Sequence, residues 1–143
     1  MTNGISSGTV EVQCSDLTGL ALDWAVAKAV GKKLETHGGR SYVPGHCGDS
    51  WSTGQYVSSL TRWSPSNDWS QAGPLISKYL MDFTVEHPET IGAALCDENG
   101  IYIDDRMMFG KTHLIAACRA IIAAHLGEVV SVPAELVENK SPE

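Results

Sequence analysis

The stretch THLIAACRAIIAAHL, residues 112–126, decides the fold class of this chain. Thr112 is a residue type that caps helix N-termini, and Gly127 is placed to end the helix. The polar side chains within the helix are few: His113, Arg119 and His125. A helix that is apolar on most of its sides has to be buried. We therefore expect residues 112–126 to form a central helix on which the other elements pack.

A second helix of the same kind is predicted near the N-terminus. Ser15 or Thr18 can cap it, and Gly31 is placed to end it. Its apolar residues cover more than one face. Its charged residues, including those just after it, are few: Asp23, Lys28, Lys32 and Lys33. We expect this helix to be buried as well.

Asp23 and Arg119 each place a charge near the middle of one of these apolar helices. An unpaired buried charge costs several kcal/mol. We therefore predict that the two helices pack together and that Asp23 and Arg119 form a buried or half-buried ion pair with an architectural role. The alternative is that each side chain extends separately to solvent.

Shorter elements complete the pattern. Alternating apolar residues predict strands, and an Asn-Gly turn predicts a hairpin. The predicted strands are 9–13, 82–87, the hairpin 91–96 with 101–104, and 128–132. Proline is tolerated at the first helical position, so Gly73-Pro74 predicts the start of a short helix that ends by Met81 or Asp82.

These elements predict the α+β class. We expect a single domain over residues 1–143, with two largely buried helices and a shorter helix packed on a small antiparallel sheet. The ends, 1–7 and 138–143, are polar and expected to fray. Residues 36–72 form a Gly/Ser/Trp-rich loop region that can hold short strands at 40–43 and 55–61.

Within this loop region, the sequence GHCGDS places His46 next to Cys47. A cysteine nucleophile needs a base that the fold positions across space, and sequence neighbours seldom supply that geometry. A polar loop is therefore the favoured interpretation, and a catalytic Cys47 stays a hypothesis. The other cysteines, Cys14, Cys96 and Cys118, lie too far apart for a metal or redox motif. We expect no metal and no cofactor.

The densest local signal is RWSPSNDWSQAGP, residues 62–74. Ser-Pro and Asn-Asp favour tight turns. Two tryptophans six positions apart on such a turn either cover the core or form an aromatic contact patch. Tryptophan together with arginine is also the composition of interface hot spots. The candidate binding residues are Trp63, Ser66, Asp68, Trp69 and Arg119.

Composition excludes several classes of function. The 143 residues carry a net charge of −7, which argues against binding to nucleic acid or to an anionic membrane. No apolar run reaches the ~18 residues that a membrane-spanning helix needs, and no signal peptide is readable. We therefore expect a soluble, cytoplasmic protein. Gly110-Lys111-Thr112 matches the end of a phosphate-binding loop, but Asp105 stands where that motif requires glycine.

Three blocks of sequence resemble the NinX-like family of tailed-phage and prophage proteins. The blocks are 16–29, 63–76, and 110–119 with its continuation through 126–127 and 132–136, in the family's order and spacing. Where the family commonly carries Gly-Pro-Thr-Pro, this chain has Lys111 and His113, and His46-Cys47 falls where the family varies. The resemblance implies an intracellular phage protein of unknown molecular function, and it carries over no catalytic residue.

Two hypotheses about function follow. The first is a non-enzymatic phage accessory protein that binds a host or phage protein in the bacterial cytoplasm through Trp63, Asp68 and Trp69. The second is a small enzyme or ligand-binding domain with a pocket near Asp68 and Arg119, where a guanidinium clamps a carboxylate or phosphate. The lack of a complete catalytic motif favours the first.

Overall fold

A computed structural model of the chain describes residues 8–37, 40–46, 58–103 and 107–138. The helices are Gly19–Val30 (α1), Trp69–Lys78 (α2), His113–Leu126 (α3) and Ala134–Glu138 (α4), and a 3-10 turn spans Cys14–Asp16. The strands are Thr9–Gln13 (β1), Glu35–His37 (β2), Arg40–His46 (β3), Ser58–Arg62 (β4), Asp82–His87 (β5), Thr90–Ala94 (β6), Met108–Gly110 (β7) and Val129–Pro133 (β8).

The strands form antiparallel sheets. β1 pairs with β8, β3 lies between β2 and β4, and β6 lies between β5 and β7. Helices and antiparallel strands together confirm the predicted α+β class. The strands expected at 40–43 and 55–61 correspond to β3 and β4. The ends 1–7 and 139–143 lie outside the described residues.

The two helices that were expected to be buried, α1 and α3, pack against each other at the centre of the structure. One core cluster joins them to β8, with Leu22, Val26, Ile122 and Val132 almost completely buried. A second cluster lies between α3 and the sheet of β5, β6 and β7; its buried members are Ile91, Ala93, Leu95, Ala116, Ala120 and Ile121. α3 is therefore covered on both sides, as its sequence requires.

The predicted signals at the start of α3 and the end of α1 are confirmed, whereas Thr18 precedes α1 without a capping hydrogen bond from its side chain. The Thr112 hydroxyl accepts a hydrogen bond from the Ile115 N–H at 3.1 Å and so caps α3. Gly31 ends α1 with φ 81°, a left-handed conformation that glycine adopts without strain.

The predicted start of α2 at Gly73-Pro74 is wrong, because the helix begins at Trp69. The Asp68 carboxylate accepts a hydrogen bond from the Ser70 N–H at 2.9 Å and starts the helix there. Pro74 lies inside α2. Its ring nitrogen has no N–H to donate to the carbonyl four residues earlier, and the helix continues past it all the same. The start of α2 is therefore marked by the side-chain cap at Asp68 and not by the proline.

The predicted hairpin of 91–96 with 101–104 is confirmed only near its turn, where the Ile103 N–H donates to the Leu95 carbonyl at 2.9 Å and the Asp97 N–H to the Ile101 carbonyl at 2.8 Å. β6 pairs instead with β5 and with β7, a strand that the sequence pattern missed. The turn at Asn99-Gly100 is formed, and an isolated bridge joins Cys96 to Tyr102.

β7 packs closely against α3 because it carries glycine at the contact. A Cβ on Gly110 would be 2.8 Å from the backbone nitrogen of Ala116.

Leu80 closes α2 in a left-handed conformation, with φ 51°. The Met81 and Leu80 N–H groups donate to the carbonyls of Ile76 and Ser77, the pairing in which glycine usually occupies this position. We expect Leu80→Gly to raise the free energy of unfolding by about 0.5–1 kcal/mol, because the left-handed strain disappears and the side chain is half exposed. Chemical denaturation measures this. Leu80→Ala keeps the strain, so a glycine variant no more stable than the alanine variant contradicts the prediction.

Candidate functional site

Asp23 of α1 holds the turn that carries the candidate binding residues. The Trp63 indole N–H donates to the Asp23 backbone carbonyl at 2.7 Å. The Ser66 N–H donates to the Asp23 carboxylate at 2.8 Å. Both contacts are buried, with Trp63 5% and Ser66 6% exposed. One helical residue therefore fixes the turn through its main chain and its side chain.

Burial also perturbs the acidity of this carboxyl group. Loss of solvent raises the pKa of Asp23 from 3.8 to about 6, against the opposing effect of hydrogen bonds from the Ser66 N–H and hydroxyl and of the Arg62 charge. The group is 3% exposed. Asp23 is thus a buried carboxyl with a structural partner, and its charged form is the costly one.

The structure does not bring Asp23 and Arg119 together. Among the described residues, the Arg119 guanidinium bonds to backbone carbonyls: Nη2 to Leu17 O at 2.9 Å and Nη1 to Phe109 O at 2.7 Å. The predicted ion pair is therefore replaced by two separate networks, in which Ser66 serves the carboxylate and carbonyls serve the guanidinium. The predicted packing of the two helices is nevertheless present.

Arg119 consequently ties two parts of the chain, the 3-10 turn and β7, to α3. Its side chain bonds to the end of the 3-10 turn and to β7, while its own carbonyl accepts a hydrogen bond from the Cys14 thiol at 3.2 Å. Partial burial lowers the pKa of Arg119, and the nearby Cys14 and Asp16 act in the opposite direction. A guanidinium with these partners is a structural cross-link.

The cleft beside Arg119 does not match the pocket of the second hypothesis. Its volume is about 230 Å³, and its lining residues are Glu89, Thr90, Phe109, Gly110, Lys111 and Arg119. Asp68 is not among them. Asp68 instead caps α2, and the Ser70 hydroxyl and N–H that bond to it hold the pKa of its carboxyl below the usual range.

Sequence reasoning missed Gln71, which clamps the other side of the same turn. Its amide nitrogen donates to the Arg62 carbonyl at 2.7 Å, and its amide oxygen accepts from the Ser64 N–H at 2.6 Å. One side chain therefore forms hydrogen bonds both with the end of β4 and with the turn that follows it. An amide two residues after the tryptophan was the only available signal, and it is a weak one.

Trp69 has a different environment from Trp63. Its side chain is 58% exposed at the start of α2. Its ring lies 6.2 Å from the His113 ring, which in turn lies 5.2 Å from Phe83 in an edge-on arrangement. The rings of α2, α3 and β5 thus form a row, and Trp69 is its most exposed member. The two candidate tryptophans have separate roles: Trp63 covers the core, and Trp69 faces outward.

Two cysteines of the described part of the chain, Cys96 and Cys118, lack the features of a reactive thiol. Cys96 and Cys118 are buried, and loss of solvent raises the pKa of each thiol, which opposes the reactive thiolate form. Cys47 lies outside the described residues, so its catalytic hypothesis stays open. No group of three His, Cys, Asp or Glu in the described part of the chain is arranged to hold a metal ion.

Comparison with protein families places the chain. A family model described as Bacteriophage P22, NinX matches residues 13–125, which is most of the sequence. The chain belongs to this phage family. The family is one of unknown function, so the match shows the relationship and assigns no activity. No curated protein matches significantly. Among the described residues, no helix has the length and apolar character required to cross a membrane.

Proposed function

We propose that this NinX-family chain is a non-enzymatic phage accessory protein that binds a host or phage protein in the bacterial cytoplasm, with Trp69 at the centre of the contact surface. The observation that supports this is the 58% exposure of Trp69 at the start of α2, directly after a turn that the fold holds in place. An exposed tryptophan with aromatic neighbours is the kind of side chain that dominates binding energy at protein interfaces.

The support around Trp69 favours binding because it reduces the entropy lost on association. The Asp68 cap fixes the first turn of α2, and Gln71 and Asp23 fix the preceding residues. A side chain presented on an ordered backbone loses little further freedom when a partner docks. The proposed surface consists of Trp69, His113 and Phe83.

Trp63 and Ser66 enter this proposal as supports rather than contacts. Both are buried and bonded to Asp23, so neither is available to a partner. Asp68 acts through its cap. Of the candidate binding residues predicted from the sequence, Trp69 is thus the one that we propose to touch the partner. Trp69→Ala therefore tests binding without disturbing the core, which a change at Trp63 would do.

We expect Trp69→Ala to abolish capture of a stoichiometric partner from a nuclease-treated lysate of infected bacteria. The expected loss of affinity is about thirtyfold, which is the effect of removing a hot-spot side chain of about 2 kcal/mol. The measurement is a pull-down with the tagged full chain, followed by quantification of the captured protein.

Ile101→Ala is the matched control, because Ile101 is an apolar side chain of similar exposure, 61%, on a separate turn. It should retain the partner as the original chain does. Equal capture by the original chain and Trp69→Ala, or no stoichiometric capture by either, contradicts the proposal.

A further inference from the structure

A groove rich in lysine runs along the C-terminal half of α1. Its volume is about 370 Å³, and its lining residues are Trp24, Ala27, Lys28, Lys32, Lys33 and Leu34. Trp24 and Leu34 are partly exposed and Ala27 is buried, so the floor is apolar while the lysines are exposed. We call this surface the basic groove.

Two of the three ammonium groups of the basic groove lie over aromatic rings. Lys28 Nζ lies 5.7 Å from the centre of the Trp24 ring, and Lys32 Nζ lies 5.7 Å from that of Trp63. In the part of the chain that the structure describes, the contacts of these two ammonium groups are those with the rings. The cations are therefore positioned by cation–π contacts and remain available to an external anion.

This concentration of positive charge contrasts with the chain as a whole. The protein has 10 Lys and Arg against 17 Asp and Glu. Lysines near a helix C-terminus stabilise the helix dipole, which accounts for positive charge at this end of α1. The dipole does not account for an apolar floor with a tryptophan one turn before Lys28. The combination is that of a surface which attracts carboxylates and also buries an apolar group.

We propose that the basic groove binds a short, extended, acidic segment of a partner protein, with carboxylates at alternate positions and an apolar side chain against Trp24. Lys28 lies in the last turn of α1, and Lys32 follows Gly31, which ends the helix in a left-handed conformation. Their ammonium groups lie over different rings, those of Trp24 and Trp63, so they are two separate positive charges of the groove. Alternate side chains of an extended segment lie on one face, so two carboxylates of such a segment can each meet one ammonium group.

A peptide fits this surface better than a nucleic acid does. Nucleic-acid sites commonly neutralise about 6–10 phosphates along a continuous backbone. The groove offers three lysines, and the chain as a whole carries a net charge of −7. A long polyanion would extend beyond these three lysines over a protein of net negative charge, whereas a segment with two or three carboxylates needs no more cations than the groove supplies.

The test uses a fluorescein-labelled twelve-residue peptide that alternates Glu with Ser and carries one central Phe. Fluorescence anisotropy with the full chain at low salt concentration is expected to give a Kd on the order of 10–100 μM. The affinity should fall at least about tenfold when the salt concentration is raised, because salt screens exposed charges. In a ¹⁵N spectrum, the Trp24 indole resonance should shift on titration.

Lys28→Glu/Lys32→Glu is expected to weaken peptide binding by at least about tenfold, because two attractions become repulsions. Lys78→Glu is the matched control: Lys78 is also a last-turn lysine, and its Nζ lies 5.4 Å over the Tyr79 ring. This control should bind the peptide as the original chain does. The same peptide with Gln in place of Glu should bind far more weakly.

Three results overturn the proposal. One is no binding of the acidic peptide, and another is an equal loss in Lys78→Glu, which would indicate general charge attraction. The third is tighter binding of single-stranded DNA of twenty nucleotides, which would assign the groove to nucleic acid. The test is independent of the Trp69 proposal, because Trp69→Ala leaves every residue of the basic groove in place.

Discussion

Trp63→Ala is expected to lower the free energy of unfolding by about 4 kcal/mol, the usual cost of truncating a buried tryptophan. Trp69→Ala is expected to change it by less than about 0.5 kcal/mol, since its side chain is mostly in solvent. The same substitution at two positions of one turn therefore separates core from surface. The physical basis is their exposure, 5% for Trp63 and 58% for Trp69.

The cost at Trp63 has two sources. Removing the ring leaves a cavity against α1, and removing the indole N–H leaves the Asp23 carbonyl without that donor. Trp63→Phe keeps most of the ring volume and loses the donor, so we expect an intermediate loss of about 1–2 kcal/mol. Urea denaturation of the three variants measures these values. Similar losses for Trp63→Ala and Trp69→Ala would contradict the division of roles.

The second large effect concerns Asp23 and pH. The folded-state pKa of about 6 lies above the value of 3.8 for a free carboxyl group. Between these values the folded state binds the proton more tightly, so stability falls as pH rises from about 4 through 6. A shift of this size corresponds to about 3 kcal/mol, fully present below pH 4 and lost above pH 6.

Asp23→Asn isolates this contribution. The asparagine carbonyl can still accept the Ser66 N–H, and the side chain carries no charge at any pH. We expect the variant to gain about 3 kcal/mol relative to the original chain as pH rises from 4 to 8, as followed by denaturation at each pH. A stability difference that stays constant with pH, or that changes in the opposite direction, would mean that Asp23 is not the buried carboxyl described.

The large elements were predictable because their signals are local. α1 and α3 each carry long apolar runs, with Gly31 and Gly127 placed to end them, and the structure confirms both helices and their burial. The start of α2 was not predictable from Pro74, since the Asp68 cap competed with it. β7 was too short, at three residues, to show any alternation.

The site was harder to predict because its partners are distant in sequence. Asp23 meets Ser66, 43 positions away, and Arg119 meets Leu17, 102 positions away. One charge in each of two apolar helices led to the prediction of an ion pair, but main-chain groups form hydrogen bonds with both charges instead. Likewise, nothing local separates Trp63 from Trp69, because the Asp23 carbonyl selects which indole is buried.

The basic groove has a signal in the sequence that a count of charges misses. Trp24 and Lys28 are four residues apart and so share one face of α1, and Lys32 and Lys33 follow directly after Gly31 ends the helix. An aromatic ring followed by successive lysines at this spacing differs from scattered surface charge. The pattern of residues, rather than their number, therefore distinguishes this face from the rest of an acidic chain.

The most direct measurement of the central claim places a photo-crosslinking benzoylphenylalanine at position 69 of the full chain. After irradiation in a lysate of infected bacteria, the account predicts one discrete adduct, and no adduct of that size when the label is at position 101. Both positions hold exposed apolar side chains, so position 101 controls for non-specific hydrophobic contacts. The same adducts from both positions, or none from position 69, would contradict a partner surface centred on Trp69.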